Sequence, residues 1–319
     1  MSTQPQAPQD GGPKGTMAPA HLRPKRKIPR WVTDLLRNPL SVTGIVILVG
    51  LGTVAVFAPK LAPPSIPSQP YLIPRQGFEA PPKPPGPGMP FGTTQGQYDL
   101  YYGVVWGTRT AFKVALAVTV ITVLIGTLLG AVSGFVGGAL DNVLQRFTEL
   151  FLAFPFLLAA ITLATVLGPK IRNGLLTAMI ALIVFGWPTY TRLIRGDVMA
   201  VRERDYVLAA RSVGVPGLRI LVRHVLPNSM YSVLVLASLN VGANLLTFAA
   251  LSFLGLGAPI GYADWGQLLS FARNWIPTLA SYWWIVVIPG AALILFSLAW
   301  NLIGDTLRDI LDPQMRVVQ

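Results

Sequence analysis

Six apolar runs of about twenty residues each constrain this chain more than any other feature, because a helix of that length crosses the roughly 30 Å hydrocarbon core of a bilayer. The runs fall at 40–58, about 114–136, 148–167, 175–193 and 232–254, with a last one ending near Ile303. At 52% hydrophobic and only 12% charged residues, the chain is too apolar for a soluble domain. The first run is too long for a signal-peptide core, and Pro59 spoils the best cleavage point, so a retained span is expected.

Charge then orients the spans. With the N-terminus inside, inner segments hold 17 of the 25 Lys and Arg and outer segments hold 8, a positive-inside bias. That bias accounts for the net charge of +12 without nucleic acid, and basic residues are not interleaved with aromatics as nucleic-acid binding requires. Zero cysteines exclude disulfides, thiolate metal sites and a cysteine nucleophile. Residues 1–38 are expected to form a disordered basic cytoplasmic tail, and 39–110 the first span plus an external loop. In that loop 59–90 holds twelve prolines, which predicts an extended, partly polyproline-like course. Residues 111–304 make the core with five further spans, and 305–319 a second cytoplasmic tail.

Within the spans, Gly126, Gly130 and Gly134 recur at four-residue spacing, with Gly138 continuing the series; the stripe reads as close helix packing rather than a ligand site. The third span is expected to carry Glu149 and Pro155 in its first turns, and the fourth to kink at Gly186-Trp187-Pro188. Asn240 and Asn244 share one face near the middle of the fifth span. Buried amides in hydrocarbon need partners or water, so the pair makes interhelical hydrogen bonds or lines a wet path.

Between the fourth and fifth spans lies a polar interruption, 196–228, with seven arginines on or beside it: Arg192, Arg195, Arg202, Arg204, Arg211, Arg219 and Arg223. Tyr206, Ala209, Ala210 and Val213 form one apolar stripe at helical spacing, and Leu218, Leu221, Val222 and Val225 a second. Gly214 stands where a helix end takes a left-handed residue, Pro216 where the next helix tolerates a missing N–H, and Pro227 where that helix is expected to stop. Two such short helices cannot bury both stripes on each other. They pack against the membrane-embedded body, dock on a separate cytoplasmic protein, or lie on lipid headgroups.

The run Leu208-Ala209-Ala210, Gly214, then His224-Val225-Leu226-Pro227-Asn228 resembles the EAA loop of permease subunits from ATP-binding-cassette (ABC) importers, with Leu208 where that family commonly has Glu. Phe91-Gly92-Thr93-Thr94, Arg146-Phe147-Thr148-Glu149, 250–257 with Asp264-Trp265-Gly266, and 304–313 resemble further signatures of the C-type permease of dipeptide and oligopeptide importers. The likeness covers about 40–316. It implies an all-α membrane protein of type I importer architecture, six transmembrane helices and a cytoplasmic coupling helix. Ala209, Ala210, Gly214, Leu218, Leu221, Val222, His224, Leu226 and Pro227 are its implied ATPase-coupling residues. It further implies a B-type permease, two ATPase subunits and an external solute-binding protein as partners, with ATP and magnesium on the ATPases and no cofactor on this chain. The setting implied is the inner membrane of a prokaryote, with membrane lipids around the spans. Nickel complexes, glutathione or oligosaccharides are alternative cargoes in such families.

The residues themselves offer little chemistry. There is no G-x-x-x-x-G-K-[ST] loop, and the two histidines, His21 and His224, have no metal-ligand company. No pair of carboxylates lies deep in two spans, which argues against an intramembrane hydrolase, and no midmembrane acid favours the alternative of an autonomous secondary carrier or channel.

Overall fold

Three of the long helices start where the sequence supplies a side-chain cap. Asn38 accepts the N–H of Leu40 (2.9 Å) ahead of α2 (Pro39–Leu61), Asp99 that of Tyr102 (3.0 Å) ahead of α3 (Leu100–Val136), and Asn173 that of Leu176 (3.1 Å) ahead of α6 (Gly174–Arg202). The structure, a computed structural model, describes residues 30–311; the expectation of disorder over 1–29 and the end of the C-terminal tail lie outside these residues. Where the tail was expected to stay disordered to residue 38, Arg30–Arg37 instead forms a helix, α1, because its apolar residues recur on one side of the turn. The remaining elements are α4 (Gly138–Leu152), α5 (Phe156–Ile171), α7 (Asp205–Ser212), α8 (Gly217–Ile220), α9 (Leu226–Ser229), α10 (Tyr231–Phe253), α11 (Trp265–Phe271) and α12 (Trp284–Leu311). No strand occurs among the described residues.

Five helices (α2, α3, α6, α10 and α12) are long and apolar enough to cross a membrane, and the pair α4 and α5, bent by 85°, makes a sixth if counted as one span. Packing decides how to count it. A Cβ on Gly126, Gly130 or Gly134 would meet α6 in order: Tyr190 Cβ at 2.5 Å, Ile194 Cγ2, and Arg195 O at 2.7 Å. Sequence number rises together on both helices, so α3 and α6 run parallel, and the chain between them has to cross back. The broken pair is therefore one crossing, and the bundle has six. The expected continuous span at 148–167 is corrected to a helix that breaks at 153–155, where Pro155 cannot continue the ladder. Glu149 lies on the near side of that break and is exposed.

The contacts also place the ends. Gly44 on α2 faces Ala299 and Ile303 on α12, and Gly304 faces Leu239 near the start of α10. Both ends of the described chain thus lie at the loop end of the bundle, which carries 196–228. Gly138 does not extend the packing stripe; with nothing within 4 Å of its Cβ position, it sits in the turn out of α3.

At the opposite, proline-rich end, α3 begins at Leu100 rather than at Val114. Its 37 residues reach about 55 Å, so it projects beyond the hydrocarbon, and the expected boundary at residue 110 falls inside it. The proline-rich loop folds back over this projection instead of running free. Ile73 N–H bonds to Gly261 O (2.8 Å), Ala263 N–H to Tyr71 O (2.7 Å) and Asp99 N–H to Pro74 O (3.0 Å). Trp106 Nε1 donates to Ala62 O (2.9 Å), Trp284 Nε1 to Thr93 O (3.2 Å), and Tyr98 stacks on Phe271 at 5.0 Å. These partners are distant in sequence, which is why proline content alone suggested an extended course.

Two outcomes are expected. Gly130→Ala drives a methyl against Ile194 and the Thr191 carbonyl and should cost about 1–3 kcal/mol, lowering the melting temperature of the purified protein, whereas Gly50→Ala, with open space around it, should not. Asp264 caps α11 through Gly266 N–H (3.2 Å), but the carboxyl is buried, and desolvation outweighs its hydrogen bonds and raises its pKa from 3.8 to about 6. The folded state holds this proton more tightly than the unfolded chain. The resulting stability is fully present below pH 3.8 and lost as pH rises through about 6, a swing of about 3 kcal/mol. Asp264→Asn, which retains a cap, should remove that component from a pH series of unfolding temperatures.

Candidate functional site

Local sequence rules shape the arginine-rich loop first. Gly214 closes α7 in the left-handed region (φ 80°), with Val215 N–H on Ala210 O (3.1 Å) and its own N–H on Arg211 O (2.9 Å), the pair of hydrogen bonds that ends a helix sharply. Pro216 then starts α8. The expected stop at Pro227 is corrected: winding continues through it to Ser229. Leu221–Val225 takes a wider π turn, with Leu226 N–H on Leu221 O. Just beyond it, Asn228 Nδ2 and Ser229 Oγ bond the carbonyls of His224 (2.6 Å) and Val225 (2.9 Å), supplying side-chain partners around the ring.

Packing then splits the two apolar stripes. Val207, Ile220, Leu221 and Val225 are buried in a cluster with Ala131 of α3, Ile194 and Val198 of α6 and Val233 of α10, while Ala210 and Leu226 are partly buried against it. Leu221 is therefore corrected from a docking residue to part of this chain's own core: it is 9% exposed. Its neighbour Val222 is 57% exposed, Leu218 75% and Val213 79%, and Tyr206, Leu208, Ala209 and Pro227 are also exposed. Leu208, which stands where related loops carry Glu, adds to this outer apolar face, with Asp205 one turn earlier. Arg211 lies over the Phe135 ring at 5.6 Å, tying α7 to the end of α3. The inner side of the loop is thus welded to three spans, and its outer side is unpartnered.

A polar joint reinforces the weld. Arg195 on α6 grips Asp141 on α4 with both nitrogens at 2.6 Å, Ser133 Oγ donates to the same carboxylate (2.5 Å), and Arg202 Nη1 bonds Gly134 O (2.7 Å). Sequence reading missed this pairing. Arg195 was one of seven arginines, and the only hint at Asp141 was an acid in a chain with thirteen.

Asn240 and Asn244 make the interhelical hydrogen bonds that one of their two readings expects. Asn240 Nδ2 donates to Tyr190 Oη on α6 (2.9 Å) and Asn244 Nδ2 to Thr119 Oγ1 on α3 (2.8 Å). Both also line a cavity of about 470 Å³, walled by Phe151, Phe154, Phe156 and Phe185 at the break between α4 and α5. Gly126, Gly130 and Gly134 lie elsewhere, on the α3–α6 seam, and serve packing. Among the described residues, no group of three or more His, Asp or Glu could hold a metal ion.

Comparison with known proteins adds to this geometry. Residues 126–317 match the family described as binding-protein-dependent transport system inner membrane component, and 30–82 match the N-terminal TM domain of oligopeptide transport permease C. A dipeptide transport system permease protein of Alkalihalophilus pseudofirmus is 35% identical over 283 residues, 89% of this chain and 88% of its own. A probable D,D-dipeptide transport system permease protein of Escherichia coli is 36% identical, covering 89% and 91%. An oligopeptide transport system permease protein of Bacillus subtilis is 34% identical, covering 92% of each.

The two amides yield a thermodynamic test. Asn240→Leu and Asn244→Leu should each cost roughly 0.6 to 2 kcal/mol of stability in thermal unfolding. Because Tyr190→Phe removes the same bond as Asn240→Leu, the double variant should cost less than the sum of the singles. Strict additivity would show that the bond contributes nothing.

Proposed function

The chain belongs to the family of binding-protein-dependent transport system inner membrane components, and on that premise we propose that it is a permease subunit of an ATP-driven importer of di- or oligopeptides. The observation that carries the cargo reading is the similarity, over about nine-tenths of this chain, to relatives named for dipeptide and oligopeptide transport. In this reading a related B-type permease completes the pathway, an external solute-binding protein delivers the peptide, and two ATPase subunits bind and hydrolyse ATP with magnesium. The loop end faces the cytoplasm of a prokaryotic cell, where its arginines satisfy the positive-inside rule, and both termini lie on that side.

The loop geometry supports a coupling role. A docking element has to present apolar surface outward and transmit force inward. Val213, Leu218 and Val222 supply the first, and the buried contacts of Val207, Ile220, Leu221 and Val225 with α3, α6 and α10 supply the second. Movement of a docked ATPase then displaces α7 to α9 together with the spans they are welded to, switching the pathway between inward- and outward-facing states as a rigid-body step. Asp141 and Arg195 carry the same displacement to α4 and the break beside the amide-lined cavity.

Adjacent residues on α8 and the π turn separate these roles. Val222→Asp should leave folding and membrane insertion unchanged, while placing a charge at a water-poor interface and weakening ATPase co-purification by about tenfold or more. Leu221→Asp should instead lose folded protein, because the charge falls in this chain's own core. Full ATPase binding and full substrate-stimulated hydrolysis in Val222→Asp would remove the coupling role, and failure of the complete complex to take up peptide would remove the importer reading.

A further inference from the structure

The proline-rich end holds a cavity of about 820 Å³ that the coupling argument leaves unused. Three cations line it from three different elements: Lys113 on α3, Arg172 between α5 and α6, and Arg273 after α11. None pairs with a carboxylate among the described residues, and no Asp or Glu lines the cavity. The start of α6, Asn173-Gly174, opens onto the same space and adds the positive end of a 29-residue helix. All three side chains are exposed, and cations gathered on a concave wall without counter-charge give it a positive potential that attracts an entering anion.

The wall is built rather than incidental. Gln267, buried, donates through Nε2 to Ala258 O (2.8 Å) and Pro259 O (2.7 Å) and accepts Gly261 N–H at Oε1 (2.8 Å), so one amide fixes the rim loop by three bonds. Tyr71 and Tyr262 stack at 5.1 Å to form another side. Arg172 closes α5 as its left-handed C-terminal cap (φ 55°), with its N–H on Gly168 O (3.1 Å), which fixes the backbone on this side of the cavity. Arg273 is oriented by a bond to Phe253 O (2.6 Å) and by stacking on the Phe253 ring at 4.8 Å, which leaves guanidinium N–H groups for another acceptor.

We propose that this cavity is a carboxylate site that takes the C-terminal end of a peptide as it enters the pathway. The inference rests on the peptide-importer reading. The α-carboxylate is the one anionic group common to peptides of every sequence, so a site for it orients cargo without selecting side chains. With three cations and no acid, the cavity favours that end over the amino terminus.

The test uses the assembled complex in phosphatidylcholine nanodiscs without binding protein, with tri-alanine and tri-alanine amide as probes in ligand-detected NMR. Wild type should bind the free acid, and Lys113→Gln combined with Arg273→Gln should weaken that binding by about tenfold or more. The amide should bind wild type as weakly as the acid binds the variant, and Lys113→Arg should keep acid binding. Lys113→Gln alone, on an exposed position, covers the case in which the double variant fails to fold. Equal binding of acid and amide, no binding to wild type, or full binding by the variants overturns the proposal. So does mass spectrometry showing that phosphatidylglycerol, supplied in a second set of discs, occupies wild type and is released by the variant, because the occupant is then a lipid phosphate. ATP-driven uptake of tri-alanine by the complete wild-type system is measured separately. If it fails, the importer reading falls; if it succeeds while the variants bind normally, only the carboxylate site falls.

Discussion

The close approach of α3 and α6 along Gly126, Gly130 and Gly134 is the contact on which the rest of the structure depends. Lipid offers no hydrophobic drive for two spans to associate, so attraction comes from dispersion and polar contacts at short range, and both need backbones within reach. The missing Cβ atoms allow this, and they bring Thr191 Oγ1 to Gly126 O (3.3 Å) and Arg202 to Gly134 O. Because the two helices run parallel, the seam also dictates topology. The intervening chain has to return across the bundle, and it does so through a helix broken at Pro155.

That seam gives the arginine-rich loop something stiff to stand on. A pair of short helices joined by Gly214 has little stability of its own. Here it is ordered by burying one side of each helix against α3, α6 and α10, which leaves the other side exposed. A load applied to that exposed side would pass into the spans, because the loop is not a free segment that can absorb it by bending. The bidentate Arg195–Asp141 pair extends the connection to α4, and through it to the cavity lined by Asn240 and Asn244.

The opposite end follows a different logic. There, irregular backbone is held by aromatic and amide side chains from remote positions: Trp106, Trp284 and the stacked Tyr98 and Phe271 over the proline-rich loop, and Gln267 under the rim of 258–261. Proline removes donors that a ladder needs, so such a segment is fixed by what it leans on. The result is a lip held by long-range bonds around a basic cavity, at the opposite end of the bundle from the arginine-rich loop.

Features with a local cause were legible in the order of the residues: the number of crossings from apolar length, the packing stripe from glycine spacing, the left-handed turn at Gly214 and the midmembrane amides from their chemistry. Features that depend on which surface meets which were not. Leu221 and Val222 are adjacent and both apolar, and helical periodicity put both on one stripe. Only the packing of that stripe against Ile194, Val198 and Val233 makes one core and the other surface. The Asp141–Arg195 pair and the gathering of Lys113, Arg172 and Arg273 share this character. Each joins residues separated along the chain, and a pattern read within one turn or one run carries no information about distances between runs. The break at Pro155 and the winding through Pro227 are local, but a proline signal by itself does not say whether a helix stops, breaks or passes through a wider turn.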